Sequence, residues 1–89
     1  MNAQEMLERG RSRTALRTEL DRQGLLWPRE RELLVDAADA LLFDEPDAEE
    51  KRWAAVELLA ALEANGRRTE GEAARLRDAL DGCGEGVLV

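Results

Sequence analysis

The chain is most apolar at residues 47–64, which read DAEEKRWAAVELLAALEA. Asp47, Glu49 and Glu50 open this segment, and carboxylates stabilise the positive N-terminal end of a helix. From Trp53 onward, apolar residues follow on almost every side of the helix. A helix of this kind lies at the centre of a fold or in an interface. We therefore expect a helix over 47–64 that lies either at the centre of the fold or in an interface.

The composition favours helices throughout the chain. Its 89 residues include 15 Leu, 14 Ala and 12 Arg, but only four Val and three Thr, with no Ile or Tyr. Leu, Ala and Arg favour helices, whereas β-branched residues favour strands. This balance argues against a β-sandwich, a barrel or an α/β sheet. It predicts a single all-α domain over 1–89, built as a compact bundle of four main helices.

Local signals place the other three helices. Ser12 is a good N-cap residue for a helix over 12–23, and Pro28 suits the first position of a helix over 28–43. Thr69-Glu70-Gly71-Glu72 matches a capping box and predicts a fourth helix over 70–81. The apolar stripe of this helix is narrow and consists of Ala73, Leu76 and Leu80.

Both ends of the chain give weaker signals. Leu7 points about 180° away from Leu16 on a helical wheel, which suggests a bend or break at Gly10. Residues 1–11 would then form an extra short helix or a flexible N-terminus. Residues 82–89 are expected to be a tail. Its apolar end, Val87-Leu88-Val89, could add to a partner's sheet edge, fold back over the helices or lack order.

The residue inventory excludes several kinds of chemistry. The chain has no histidine, so zinc sites and catalytic triads that use histidine are impossible. A single cysteine, Cys83, permits no intrachain disulfide, and its position between two glycines predicts an exposed thiol. No cofactor and no metal are expected. The longest apolar run has five residues, far short of the ~20 that span a bilayer, and we expect a cytoplasmic protein.

Trp53 suggests an interaction surface. On a helical wheel, Leu58 and Leu62 lie about 140° and 180° from Trp53, so the large apolar groups of this helix point in opposite directions. The Trp53 side is either an association surface or is covered by the other helices. Small domains gain stability from oligomerisation, which favours a homodimer. The residues predicted for the interface are Trp27, Trp53, Val56, Leu58, Ala60 and Leu62.

Charge is unevenly distributed. Residues 1–31 have a net charge of +2, residues 32–65 of −8 and residues 66–89 of −1. Arginines in the first segment could contact phosphates or the acidic middle of a neighbouring molecule. They do not share one helix face, and the overall charge of −7 opposes approach to a polyanion. These arginines are Arg9, Arg11, Arg13, Arg17 and Arg22.

One segment is similar to the opening of winged helix-turn-helix domains. It comprises the helix over 55–62, the turn Gly66-Arg67-Arg68-Thr69 and the start of the next helix at Ala73, Ala74 and Leu76. The resemblance implies a DNA-binding module in which a recognition helix follows. In this chain Gly82-Cys83-Gly84 comes at that point instead.

Asp36 and Asp39 are spaced i, i+3, as in helical phosphohydrolases that bind magnesium. Both are expected on the solvent side of their helix, whereas metal sites in bundles project inward.

The sequence therefore favours a non-enzymatic, acidic, regulatory protein that self-associates or binds another protein through apolar helix faces. The alternatives are a nucleic-acid-linked regulator, such as an antitoxin-like protein or small repressor, and a magnesium-dependent phosphohydrolase.

Overall fold

A computed structural model describes residues 3–24 and 26–84, and within them it contains four helices and no strand. The helices are α1 (Ala3–Gln23), α2 (Pro28–Leu42), α3 (Ala48–Ala64) and α4 (Glu70–Gly82). The predicted all-α four-helix bundle is therefore confirmed. Among the described residues, no helix is both long and apolar enough to cross a membrane.

Each helix contributes one stripe of leucine and alanine to a common core. A fully buried leucine contributes about 1.5–3 kcal/mol relative to an exposed one, so these stripes supply most of the driving force for folding. The apolar stripe predicted for α4 is confirmed, because its three members are all buried. The core residues are Leu16 and Leu20 from α1, Leu34, Ala37, Ala38 and Leu41 from α2, Ala55, Leu59 and Leu62 from α3, and Leu76 and Leu80 from α4.

Helix α1 is continuous through Gly10, so the predicted bend is wrong. Leu7 and Leu16 point in opposite directions from α1 because only Leu16 faces the core. Leu16 is fully buried, whereas Leu7 remains 59% exposed on the opposite side of the same helix. Arg9, one residue before Gly10, is buried and forms an ion pair with Asp44, 3.3 Å away, in the loop between α2 and α3. This contact fixes the first turns of α1 to the bundle, and Ser12 lies inside the helix rather than at its start.

Ion pairs show that α1 is antiparallel to α2. Arg9 pairs with Asp44, and the Arg13 Nε donates to the Asp39 carboxylate. At the other end of the bundle, Arg31 Nη2 lies 2.7 Å from the Asp21 carboxylate. The positive first segment thus meets the acidic segment within one chain, which is the complementarity expected earlier between neighbouring molecules.

The segment Gly82-Cys83-Gly84 packs against the bundle. Cys83 is fully buried, so the expectation of an exposed thiol is wrong, and its burial raises the pKa of the thiol to about 11. At Gly82, α4 comes so close to α1 that an added Cβ would lie 2.3 Å from the Ser12 Oγ. The absence of a side chain at Gly82 therefore permits this approach. Residues 85–89, including the apolar segment Val87-Leu88-Val89, lie outside the described residues.

The N-terminal cap of α4 is the one predicted from the sequence, and α2 has a capping hydrogen bond that the sequence analysis did not predict. Thr69 Oγ1 accepts a hydrogen bond from the Glu72 amide at 3.1 Å, and the Thr69 amide donates to the Glu72 carboxylate at 2.9 Å. The predicted capping box is confirmed. At α2, the Trp27 amide donates to the Glu30 carboxylate at 3.0 Å, although Trp27 has no acceptor side chain of its own.

Substitution of Gly82 tests the close approach of α4 to α1. We expect Gly82→Ala to lower the free energy of unfolding by about 1–3 kcal/mol, because the new methyl group overlaps Ser12. Gly71, in the same helix, has no atom within 4 Å of an added Cβ. Gly71→Ala should therefore be neutral or stabilising by up to about 1 kcal/mol.

Urea unfolding of both variants measures the difference. Ser12→Gly removes the overlapping atoms, so the double variant should lose less stability than the sum of the two single changes. Equal stability of the two alanine variants would show that the helices do not approach this closely.

Candidate interaction surface

The outward side of α3 carries an exposed tryptophan and exposed alanines, with Glu57 exposed beside them. Helix α3 turns Ala55, Leu59 and Leu62 into the core, and its half-buried Val56 and Leu58 pack against that core. Trp53 is 62% exposed. Ala60, two helical turns further along the same side of α3, is also exposed. Exposed tryptophan is unusual on a monomer surface and is enriched where proteins bind each other. We call the side formed by Trp53, Val56, Ala60 and Ala64 the Trp53 face.

A shallow groove of about 240 Å³ lies between α3 and α4, next to the Trp53 face. Its floor is apolar and includes Val56, Ala60 and Ala73. Its charged groups are separated along its length. Glu63 and Glu70 lie where α3 passes into α4, whereas Arg77 lies two turns further along α4. The lining residues are Val56, Leu59, Ala60, Glu63, Glu70, Ala73, Ala74 and Arg77.

Trp27 lies at the other end of the bundle. Its ring is 66% exposed and is covered on one face by the Arg67 guanidinium, 4.8 Å from the ring centroid. The same guanidinium donates two hydrogen bonds of 2.8 Å to the Glu30 carboxylate, which lowers the pKa of Glu30. Arg67 follows the end of α3, about 20 Å along the helix axis from Trp53. The two tryptophans therefore do not share a surface.

The remaining predicted interface residues divide between core and surface. Leu62 is 1% exposed and belongs to the core, so it adds nothing to an exposed face. Leu58 is half-buried and packs against the core, as does Val56. Ala60 is exposed and lines the groove. The Trp53 face thus retains part of the predicted set.

Three of the five predicted contact arginines are used inside the chain. Arg9 and Arg13 form the ion pairs to α2 and its following loop, and Arg22 donates to the Glu19 carboxylate. Arg11 and Arg17 are exposed on α1. An ion-paired arginine is neutralised locally. The five arginines therefore present less positive charge to a nucleic acid than the sequence suggested.

The acidic pair Asp36 and Asp39 is also divided. Asp39 binds Arg13, whereas Asp36 lines a second groove of about 330 Å³ between α2 and α3. Lys51 and Arg29 line that groove as well. Within residues 3–24 and 26–84, no group of three or more acidic, cysteine or histidine side chains could hold a metal ion.

Glu19 is the centre of a small ionic cluster between α1 and α4. Its carboxylate accepts hydrogen bonds from Arg22 and from Gln23, the latter at 2.8 Å, and Arg75 lies 3.4 Å away. The bonds from Arg22 and Gln23 lower the pKa of Glu19 to about 2. This cluster joins the C-terminal half of α1 to α4.

The sequence pattern missed the contribution of α4 to the groove. The predicted stripe of α4 was Ala73, Leu76 and Leu80, and Ala74 and Arg77 fell outside it. The sequence feature that could have indicated the groove is the narrow apolar stripe of α4, because a narrow stripe leaves room for a groove beside α3. Ala74 and Arg77 were visible in the sequence, but their position beside Val56 and Ala60 depends on how the two helices pair.

Three comparisons with known proteins found no match. No protein-family model matches the chain, and neither a curated protein nor a solved structure matches it.

The low pKa of Glu19 predicts a pH dependence of stability. An acid whose pKa is lower in the folded state stabilises the fold above its unfolded pKa, and this contribution disappears as the pH falls through the folded value. For Glu19 the two values are 4.5 and about 2. We expect Glu19→Gln to lower the Tm by a few degrees at pH 7, and the difference from wild type should shrink between pH 5 and pH 2.

Glu8→Gln provides the control, since Glu8 is exposed on the same helix. At pH 7 its Tm should match that of wild type, because a surface carboxylate contributes little to stability. A difference at pH 7 that persists unchanged at pH 2 would show that Glu19 acts through its shape rather than its charge.

Proposed function

We propose that this protein is a non-enzymatic interaction or regulatory protein that self-associates through the Trp53 face of α3. The observation that carries the proposal is the exposure of Trp53 on an apolar side of a helix whose other side is already in the core. Burial of that side in a second molecule removes apolar area from water, at about 25 cal/mol per Å² before the costs of association.

The form of the face also supports association rather than catalysis. Exposed alanines follow Trp53 along α3, and their small side chains let another helix approach the backbone closely. Charged residues border the apolar strip, as at the rim of protein interfaces. A cytoplasmic setting is part of the proposal, because a lone buried thiol requires no oxidising compartment.

The nucleic-acid alternative has less support from the described residues. Its five arginines do not form one patch, and three of them bind carboxylates of the same chain. The magnesium alternative required Asp36 and Asp39 to act together, and Asp39 is engaged by Arg13. Self-association through the Trp53 face therefore has more support from the described residues than either alternative.

Trp53→Ala tests the proposal, with Trp27→Ala as the matched control. Both tryptophans are largely exposed, at 62% and 66%. We expect Trp53→Ala to raise the dimer dissociation constant at least tenfold, about 1.4 kcal/mol, while the isolated subunit keeps its helicity. Trp27→Ala should leave association unchanged and lower the Tm slightly, because it removes the contact with Arg67.

Sedimentation equilibrium gives the dissociation constants, and circular dichroism gives helicity and Tm. A wild-type protein that is monomeric at all accessible concentrations would refute self-association. A Trp53→Ala variant that assembles normally would refute the assignment of the surface.

A further inference from the structure

The charges on α4 have an arrangement that suits pairing with a copy of itself. Glu70 and Arg77 are seven residues apart, which places them on nearly the same side of the helix and about 10 Å apart along it. Both line the α3–α4 groove, and the small residues Ala73 and Ala74 lie midway between them. The groove is therefore acidic at one end, apolar in the middle and basic at the other end.

A two-fold axis across the middle of this groove brings unlike charges together. In a two-fold dimer each surface patch meets its own copy in reverse, so every contact occurs twice. With the axis near Ala73 and Ala74, the acidic end of one groove lies over the basic end of the other. A parallel arrangement would instead place like charges together, which is unfavourable.

The Trp53 face fits the same arrangement. Trp53 precedes Ala60 by seven residues and Ala64 by eleven, so the three residues follow one side of α3. All three are exposed. When α3 of one copy lies antiparallel to α3 of the other, a large indole meets small alanine side chains, and large and small residues interdigitate as they do in protein cores.

We propose that a second copy of this chain docks antiparallel across the α3–α4 groove. Arg77 of each copy pairs with Glu70 of the other, and Trp53 of each copy lies against Ala64, near the end of α3 of the other. This inference rests on the self-association proposed above and names its geometry. Arg77 is available for the contact, because its side chain is 55% exposed and its ion pair with Asp81 is long, at 3.9 Å.

Charge reversal tests the pairing directly. In Arg77→Glu and in Glu70→Arg, each homodimer would contain two like-charge contacts, so each variant alone should dimerise at least tenfold more weakly than wild type. An equimolar mixture restores both attractive contacts in the heterodimer. Native mass spectrometry should therefore show the heterodimer as the main assembly in the mixture. The double variant, Glu70→Arg with Arg77→Glu, should dimerise like wild type.

Arg75→Glu is the matched control. Arg75 lies on the same helix, has the same side-chain exposure of 55% and also faces a carboxylate, that of Glu19, but it does not line the groove. Its dimer should match wild type at equal ionic strength. Circular dichroism checks the folding of every variant, and Arg77→Gln with Glu70→Gln provides a milder pair if a reversal variant unfolds.

The outcomes separate this inference from the proposed function. A monomeric wild-type protein refutes both and leaves the Trp53 face to a different partner. A wild-type dimer that is unaffected by Arg77→Glu and Glu70→Arg refutes the antiparallel groove alone. Two weakened variants that do not recover in the mixture also refute it, since direct pairing requires recovery.

Discussion

A helix in a four-helix bundle presents only one stripe to the common core, and α3 carries more apolar side chains than one stripe holds. Burial of Ala55, Leu59 and Leu62 determines which side of α3 points inward. That choice places Trp53 and Ala60 outside. The excess apolar surface is thus a geometric consequence of bundle packing. Its exposure to water favours the proposed self-association, which would bury it.

Electrostatics positions α1 on this bundle. Arg9 and Arg13 bind carboxylates of α2 and its following loop, while Glu19 gathers donors from α1 and α4. Partly exposed ion pairs contribute little energy individually, typically 0–1 kcal/mol, so their value here is mainly in alignment. They hold the helix in one register while its buried leucines supply the stability. The surface charge left for partners is correspondingly smaller than the composition suggests.

Local signals were enough to predict the fold class, and tertiary contacts explain the errors. The capping box at Thr69 and Glu72 depends on neighbouring residues alone, and the structure confirms it. The two errors, at Gly10 and at Cys83, lie where distant segments meet: Arg9, beside Gly10, binds Asp44, and Cys83 is buried where α4 approaches α1. These partners are distant in sequence. For the candidate surface, the pattern found Trp53 and Ala60 but missed Arg77, because the groove requires the pairing of α3 with α4.

The close packing of α1 against α4 at Ser12 and Gly82 has a consequence for synthesis of the chain. Helices α2 and α3 are neighbours in sequence and in space, so they can form a hairpin as soon as both have left the ribosome. Helix α1 emerges first, yet one side of it remains uncovered until α4 is made, about 60 residues later. Leu16 and Leu20 belong to the core that α4 completes, so they cannot be fully buried before α4 has been made. Among the four described helices, α1 is therefore translated first and enclosed last.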